Sequence, residues 1–534
     1  MIRVTDIKIE LNDALTEKQE LDSLKKYIES EYKIKDYSNF SIYKKAIDAR
    51  KKEHIHFVYT VDFNVTNEAL LLQKGKKGLT LAPSLVYPEV LSGSLSLKNR
   101  PIIVGFGPSG IFAALLLAKR GYKPLVLERG LDVDQRSLHV DHFWKTGEYS
   151  EHSTILFGEG GAGTFSDGKL TTLITDYRCR YVLSSLVMHG AQKEIMYINK
   201  PHIGTDILKG VIKNIRKEII SLGGDIRFNS NVTDLIIENS QLKGLIVNHH
   251  ETIQTDVCLL GVGHSARDTF EVIYKHGINI IQKPFSIGVR IEHPQELINQ
   301  AQYGNYAKYP NLGAADYKLS YHATNNRSAY TFCMCPGGYV MCATSEEGGV
   351  VTNGMSESKR DNVNANSAFL VNVNPSDFGS DHPLAGVHFQ RAFEKKAFQL
   401  AGSNYYAPIQ LVGDFLKDQL STKLGSVIPS YTPGYTFVKM TDILPPYVTD
   451  TLKESIIAFD RKIKGFSMHD AVMTGVETRS SSPIRMLRND LHESNITGIY
   501  PMGEGAGYAG GIMSSAVDGI KTAEKIISNY LPLD

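Results

Sequence analysis

Three glycines and one acidic residue have the types and spacing that bind a dinucleotide. Gly105, Gly107 and Gly110 form a G-x-G-x-x-G turn after an apolar run, and a small apolar helix is predicted from Ile111 onward. Glu128 ends a second apolar run, 23 positions after the first glycine. Such glycines let backbone approach a pyrophosphate, the helix start attracts the phosphate charge, and the acid binds ribose hydroxyls. The pattern predicts a dinucleotide site, the alternative being a glycine-rich strand-to-helix loop that binds nothing.

Further glycine-rich segments have the composition to approach the same ligand. Residues 156–170 interleave glycines with Phe157, Phe165 and Leu170, which favours a ligand-contacting loop over a flexible linker. The segment Gly503 to Gly511 follows an apolar strand and precedes a predicted helix over Ile512 to Asn529. A strand that ends in a Gly-x-Gly turn at 261–263 adds a fourth signal.

Candidates for the reaction itself are Arg290, His293 and Arg479. Arginine suits a carboxylate clamp, and histidine suits proton transfer because it titrates near neutral pH. A salt bridge between domains is an equal interpretation of Arg290 and His293, and a helix-capping serine cluster is the alternative at Arg479. Cys333 and Cys335 are interpreted as buried structural thiols, with a thiolate near a cofactor as the second hypothesis.

The composition is typical of a soluble globular protein. The 534 residues carry 58 Lys and Arg against 57 Asp and Glu, so no global basic field indicates nucleic acid or membrane binding. Residues 1–98 hold 16 Lys and Arg against 14 Asp and Glu, so their basic cluster at 44–52 is interpreted as a charged strand edge. The five cysteines form no C-x-x-C pair and no zinc pattern. We therefore expect no metal, and reduced thiols in the cytoplasm.

The elements that must position these residues group into four segments. Residues 1–97 are predicted as a small α/β unit of order β-α-β-β. Residues 98–283 contain the first glycine turn, helices within 175–222 and a meander of short strands over 226–248. Residues 284–465 are predicted as an α+β substrate or cap domain, and residues 466–534 return to the nucleotide-binding domain.

The ordered signals resemble the FAD domain of the glutathione-reductase-like flavoprotein superfamily. More narrowly, the strings at 160–169, 263–268, 332–338 and 503–511 are similar to a bacterial family of FAD-dependent dehydrogenases of unassigned substrate. The resemblance covers most of residues 100–534. It implies an α/β fold, with a Rossmann-like FAD domain of parallel sheet plus β-meander, an inserted α+β cap domain and a small N-terminal α/β domain.

The resemblance also implies which residues hold FAD. The first glycine turn would hold the pyrophosphate, Glu128 and Arg129 would lie at the adenosine ribose, and Val232 would offer backbone to adenine. Glu504 stands where the superfamily usually has Asp, so its contact with the ribityl chain is less direct. The helix after Gly511 would direct its N-terminus at the flavin. The complete set of candidates is Gly105, Gly107, Pro108, Ser109, Gly110, Glu128, Arg129, Gly160, Gly161, Gly163, Thr164, Ser166, Lys169, Leu170, Val232, Gly263, His264, Ser265, Gly503, Glu504, Gly510, Gly511 and Ile512.

The sequence contains one complete dinucleotide fingerprint, so NAD(P)H is expected only as a transient reductant without a domain of its own. We expect an FAD-dependent oxidoreductase that transfers a hydride between flavin N5 and an unidentified small molecule or NAD(P)H. An FAD-dependent RNA-modifying enzyme and a non-enzymatic flavin-binding regulator are the alternatives. We expect a small-molecule partner and no membrane partner. The near-neutral charge of the N-terminal unit disfavours nucleic acid. The sequence does not indicate the oligomeric state.

Overall fold

The N-terminal domain is an antiparallel four-stranded sheet of order β2-β3-β1-β4 beside one long helix. The structure is a computed structural model that describes residues 1–73 and 75–533. The elements of this domain are β1 (Ile2–Glu10), α1 (Glu17–Tyr27), β2 (Ser38–Asp48), β3 (His56–Asn64), α2 (Glu68–Gln73) and β4 (Leu79–Leu81). The predicted β-α-β-β order is present, and α2 and β4 extend it. The domain joins the rest of the chain through backbone, because the Lys45 amide donates to the Tyr197 carbonyl at 2.7 Å.

A parallel five-stranded sheet forms the nucleotide domain. Its first part contains β5 (Ile102–Val104), α3 (Pro108–Lys119), β6 (Leu125–Leu127), α4 (Val133–Thr146), α5 (Arg178–Met188), α6 (Thr205–Ser221), β7 (Asp225–Arg227), β8 (Val232–Glu238), β9 (Gln241–Val247), β10 (Glu251–Gln254), β11 (Cys258–Leu260), α7 (Arg267–Lys275) and β12 (Ile280–Gln282). Strands β5, β6 and β11 are fully buried, as expected for a parallel sheet covered on both faces.

The β-meander is antiparallel, of order β10-β9-β8. Two details of the predicted meander are wrong. The strand at 226–229 pairs in parallel with β6 as β7, at the edge of the large sheet. The third meander strand is β10, which the sequence analysis missed because four residues of mixed polarity carry little periodic signal.

The cap domain is built on a seven-stranded sheet of order β14-β15-β18-β13-β21-β19-β20. Its elements are β13 (Phe285–Pro294), α8 (Gln295–Tyr303), β14 (Ser320–His322), β15 (Ser328–Cys335), β16 (Tyr339–Cys342), β17 (Thr352–Met355), β18 (Asn364–Val373), α9 (Ala385–Leu400), β19 (Ala407–Leu411), α10 (Val412–Leu416), β20 (Tyr435–Phe437), α11 (Pro446–Asp460) and β21 (Val472–Glu477). Strand β21 lies beyond the predicted boundary at 465. It belongs to the cap because it pairs with β13 in the centre of this sheet.

The chain then returns to the nucleotide domain through β22 (Ile484–Met486), β23 (Ile499–Pro501) and α12 (Ile512–Asn529). Strand β22 pairs antiparallel with β12, so the two chain crossings between the domains form one short ribbon. Strand β23 pairs in parallel with β11, which gives the sheet order β23-β11-β5-β6-β7. The C-terminal segment thus completes the sheet that begins at β5, as the sequence predicted.

Candidate functional site

The first glycine turn connects β5 to α3 with three glycines in different surroundings. Gly105 has φ +96°, and a Cβ on Gly110 would lie 2.0 Å from the Gly105 carbonyl oxygen. Gly107 is the N-cap of α3, and among the described atoms a Cβ there would approach only the Cα of Gly161, at 3.7 Å. The Ile111 amide is the first to bond within the helix, to the Gly107 carbonyl at 2.9 Å. The earlier amides of Ser109 and Gly110 therefore have no acceptor within α3, which suits them to an anion.

Glu128 is buried and is bonded to backbone. Its carboxylate accepts the amides of Phe106 at 2.8 Å, Gly130 at 2.8 Å and Gly158 at 2.9 Å. The acid at the end of β6 therefore joins the first glycine turn to the second glycine segment. Arg129 donates to Asp268 at 2.8 Å and lies over the Phe157 ring, so it packs at the rim of the same region.

The second glycine segment, residues 157–170, covers the first turn. The Gly160 amide donates to the Phe106 carbonyl at 2.9 Å, and a Cβ on Gly161 would lie 2.9 Å from the Gly107 Cα. Arg136 of α4, which sequence reasoning missed, donates to the carbonyls of Glu159 at 2.8 Å and Gly161 at 3.0 Å. Burial lowers the pKa of Arg136 to about 9. No local motif marks this arginine, because its carbonyl partners lie some 25 residues along the chain.

The start of α12 lies beside the start of α3. A Cβ on Gly163 would lie 3.1 Å from the Ile512 side chain and 3.7 Å from Pro108, the first residue of α3. The Ser515 amide bonds the Gly511 carbonyl at 3.1 Å, so the three preceding amides have no acceptor within α12. Gly510 and Gly511 have no described atom within 4 Å of an added Cβ. Both helices therefore begin near Gly163. No described atom covers the start of α12 on the side of Gly510 and Gly511.

Asp518 organises the C-terminal glycine segment, and Glu504 lies within that segment. The Gly503 amide donates to Asp518 of α12 at 2.7 Å, and Arg488 pairs with the same carboxylate at 2.6 Å. Burial raises the pKa of Glu504 to about 7, while Lys283 and the Gly511 amide oppose the rise. Asp518 was not predicted, because the superfamily pattern directs attention to position 504 instead.

The cofactor candidates in the second half of the second glycine segment differ in their burial and in their hydrogen bonds. Leu170 is a core residue of the nucleotide domain and Thr164 is buried, with its hydroxyl donating to the Glu159 carbonyl at 3.0 Å. Ser166 donates to the Gly163 carbonyl at 2.7 Å. Lys169 holds its ammonium 3.7 Å from Asp167, and within the described chain its covered Nζ has no hydrogen-bond acceptor. Lys169 therefore has capacity for a further ligand.

The remaining cofactor candidates flank these segments. Gly263 follows β11 with φ +77°, and a Cβ on Gly505 would lie 2.5 Å from its carbonyl oxygen. His264 bonds Ser265 at 2.8 Å, and burial together with nearby arginines lowers the pKa of His264 to about 4, so the ring is neutral. Val232 is buried in β8, where it pairs with β9.

Two of the three catalytic candidates, Arg290 and His293, lie inside the cap domain. His293 is 0% exposed, bonds the Phe466 carbonyl at 2.8 Å and packs on the Phe466 ring. Arg290 is also 0% exposed and pairs with Glu477 at 3.1 Å across β13 and β21. The proton-transfer and carboxylate-clamp interpretations are therefore wrong for these residues, because neither side chain has surface for a substrate. Their ion pair and hydrogen bond lie within the cap rather than between domains.

Arg479 belongs to the ionic contact between the domains. It pairs with Glu394 of α9 at 2.7 Å, and Arg267 of α7 pairs with the same carboxylate at 2.7 Å. All three residues are buried. Although burial alone would raise it, the two guanidinium groups hold the pKa of Glu394 well below its usual range. The catalytic hypothesis for Arg479 is thus replaced by an interface role.

The chemistry of these groups fits a flavin dinucleotide. Two helix N-termini with free amides would hold pyrophosphate and the flavin edge, and Gly107 and Gly511 have no side chains that would cover those amides. No group of three or more His, Cys, Asp or Glu side chains able to hold a metal ion occurs in residues 1–73 and 75–533. Among the described helices, none is long and apolar enough to cross a bilayer.

Comparisons with known proteins identify one long relative and two domain families. An uncharacterized protein of Clostridium beijerinckii is 51% identical over 534 residues, with 99% of each chain covered. Residues 284–480 match the family described as FAD-dependent protein, C-terminal domain-like, and residues 1–64 match a domain of unknown function.

Several solved structures are similar to parts of this chain at low identity and low TM-score. Glycine oxidase from Bacillus cereus is 11% identical with a TM-score of 0.30, covering 80% of this chain and 95% of its own. Escherichia coli quinol fumarate reductase FrdA is 10% identical with a TM-score of 0.35, covering 82% and 70%. Glycerol-3-phosphate dehydrogenase from Bacillus halodurans, complexed with FAD, is 10% identical with a TM-score of 0.33, covering 82% and 65%.

Proposed function

We propose that this chain, which belongs to the same protein family as the Clostridium beijerinckii relative, is an FAD-dependent oxidoreductase acting on a small molecule. The match of residues 284–480 to an FAD-dependent protein's C-terminal domain supports the choice of cofactor. We also propose a cytoplasmic location, supported by five cysteines that are all free thiols.

The observation that carries the proposal is the meeting of α3 and α12 at Gly163. Two helices from opposite ends of the domain begin against one glycine, so their positive ends act on the same region. A ligand that carries a pyrophosphate and a second electron-rich group matches two such ends better than a mononucleotide does.

Each element has a distinct role in this proposal. The Ser109 and Gly110 amides bind the pyrophosphate, and Glu128 fixes the turn that presents them. The N-terminus of α12 stabilises negative charge on the flavin edge. FAD, when bound, exchanges a hydride at its N5 atom, and the protein positions the reacting molecule and excludes water. NAD(P)H serves as a transient reductant.

The visible spectrum of the purified protein tests the cofactor. We expect flavin absorbance that copurifies or returns on reconstitution with FAD. A folded, colourless protein that takes up no FAD would contradict the proposal.

Anaerobic titration tests the reaction class. We expect bleaching of the flavin by NADH, NADPH or one of a panel of small carbonyl and carboxylate metabolites, followed by turnover with an artificial acceptor. A flavin that none of these reduces would favour a non-catalytic flavin-binding regulator.

A further inference from the structure

A short segment, residues 197–203, hydrogen-bonds both to the N-terminal domain and to the second glycine segment, and we call it the linking segment. The Lys45 amide in β2 donates to the Tyr197 carbonyl at 2.7 Å, and the Asn199 amide donates to the Lys45 carbonyl at 2.8 Å. Lys45 and Ile198 thus form a parallel bridge. Because β2 is an edge strand, the linking segment extends the N-terminal sheet at its open edge.

The other end of the linking segment pairs with the end of the second glycine segment. The Leu170 amide donates to the Pro201 carbonyl at 2.9 Å, and the Ile203 amide donates to the Gly168 carbonyl at 3.2 Å. Lys200 alone separates this pairing from the pairing with β2. Since one residue spans only about 3.8 Å of chain, a displacement at one pairing is passed to the other.

Ser166 carries the contact from Gly168 to Gly163. The Gly168 amide donates to the Ser166 hydroxyl at 3.1 Å, and that hydroxyl donates to the Gly163 carbonyl at 2.7 Å. Thr205, the first residue of α6, donates from its hydroxyl to the Ser166 carbonyl at 2.7 Å. Because α3 and α12 both begin against Gly163, these hydrogen bonds reach the two helix N-termini of the candidate site.

The N-terminal domain is held on another side by the cap. The Asn311 side chain donates to the Ala14 carbonyl at 2.7 Å, and the Tyr309 hydroxyl bonds the Asn12 side chain. Buried residues of the N-terminal domain and of the cap also belong to one hydrophobic cluster. The N-terminal domain is therefore a fixed support for the linking segment.

We propose that the N-terminal domain positions the second glycine segment for the cofactor, through the linking segment and Ser166. The identity of that cofactor rests on the proposed function. A path of hydrogen bonds, each 3.2 Å or shorter, leads from Lys45 through the linking segment and Gly168 to Gly163. By thermodynamic linkage, a contact that stabilises the ligand-binding form of the segment must itself be stabilised when the ligand binds.

The first test removes one backbone hydrogen bond between the linking segment and β2. Asn199→Pro lacks the amide that donates to Lys45, whereas the matched control Asn199→Ala loses the same exposed side chain and keeps the amide. Hydrogen–deuterium exchange of the full-length proteins without added FAD is measured by mass spectrometry. We expect exchange in residues 163–170 to accelerate roughly two- to tenfold in Asn199→Pro alone, the factor that one hydrogen bond contributes to local opening. Acceleration confined to residues 1–64 and 197–199 overturns the inference.

A second variant tests the relay and decides the matter if Asn199→Pro does not fold. Ser166→Ala removes the hydroxyl between Gly168 and Gly163. We expect faster exchange in residues 163–170, while β2 exchanges as in wild type. Ser221→Ala is the control, since that exposed serine donates only to the Glu218 carbonyl at the end of α6 among the described residues. Unchanged exchange in residues 163–170 of Ser166→Ala overturns the inference.

FAD titration provides a readout that a purely local structural role would not move. We expect the Kd for FAD to rise roughly two- to tenfold in Asn199→Pro relative to Asn199→Ala. In wild type, FAD should slow exchange of β2 around Lys45, by the linkage above. An equal Kd in the two variants, or unchanged exchange of β2 on addition of FAD, overturns the inference. Failure of wild type to bind FAD overturns the proposed function instead, and the exchange of the FAD-free variants still decides whether the N-terminal domain positions the glycine segment.

Discussion

Gly107 and Gly161 touch through backbone alone, since a Cβ added to Gly161 would lie 2.9 Å from the Gly107 Cα. The two residues belong to separate glycine segments, 54 positions apart in the chain. Their approach lets the second segment close over the turn without covering the free amides of α3. A side chain at Gly161 would therefore push the two segments apart, whereas a Cβ at Gly107 would lie 3.7 Å from the Gly161 Cα, in ordinary van der Waals contact.

Gly107→Val should therefore abolish FAD binding while the protein still folds, because the added methyl groups occupy the pyrophosphate approach and press on Gly161. Flavin absorbance per mole of protein measures the outcome. Gly210→Ala is the matched control, since Gly210 lies in α6 with no described atom within 4 Å of an added Cβ. An FAD content equal to that of wild type in Gly107→Val would refute the proposed position of the cofactor.

Gly519→Ala tests the contact between the two helices. A Cβ on Gly519 would lie 2.1 Å from the Ser109 carbonyl oxygen, so α12 must move away from α3. We expect a loss of about 1–3 kcal/mol in stability and weaker FAD affinity, measured by thermal unfolding and by FAD titration of the apoprotein. The same Gly210→Ala control applies, and equal affinity in both variants would contradict the shared role of the helix ends.

Glu504→Gln should change the pH dependence of stability. Burial raises the pKa of Glu504 from its ordinary 4.5 to about 7, so the folded protein binds an extra proton between these values. Wild type therefore loses stability as the pH rises from about 4.5 to 7, and the glutamine variant lacks that part of the loss. We expect Glu504→Gln to gain about 1–3 kcal/mol relative to wild type between pH 4.5 and pH 8. An equal difference in melting temperature at both pH values would show that the pKa of Glu504 is not raised.

Glu394→Gln should weaken the contact between the domains. The change removes one of two carboxylates that pair with both arginines, because Glu346 lies 2.5 Å from Arg267 and 3.7 Å from Arg479 and still faces them. We therefore expect a cost of about 1–3 kcal/mol at neutral pH. Because the pKa of Glu394 is held below its ordinary 4.5, the stabilisation is present above that value and is lost as the pH falls further. The difference in melting temperature from wild type should thus shrink at acidic pH. Glu296→Gln, at a side chain that is 81% exposed, is the control and should melt like wild type.

Local patterns predicted the frame of this site well. The turn at Gly105–Gly110, the helix over Ile512–Asn529 and the return of the C-terminal strand to the first sheet are all present. Each of these predictions depends on the positions of glycines and on the period of apolar residues, and both signals come from residues that are close together in the chain. The structure also confirms the α/β class, with the parallel sheet, the meander and the cap.

Contacts between residues far apart in the chain could not be predicted from local patterns. The residue types of Arg290 and His293 predicted a catalytic role. In the structure Arg290 forms an ion pair with Glu477, and His293 bonds the Phe466 carbonyl. Arg136 and Asp518 organise the glycine segments through carbonyls and amides far away in the chain, so no local spacing marks them. Cys333 was predicted to be buried, but it is exposed at a bulge in β15, where the register against β18 shifts between Phe332 and Cys335.

The ribbon of β12 and β22 has a mechanical consequence. Both covalent connections between the nucleotide domain and the cap run side by side through it, so the two domains share a single hinge line. Rotation of the cap about that line must break the pairing of Arg267 with Glu394, because the two residues belong to opposite domains. Any rotation of the cap would therefore follow this one line, and the ion pair between Arg267 and Glu394 would oppose it.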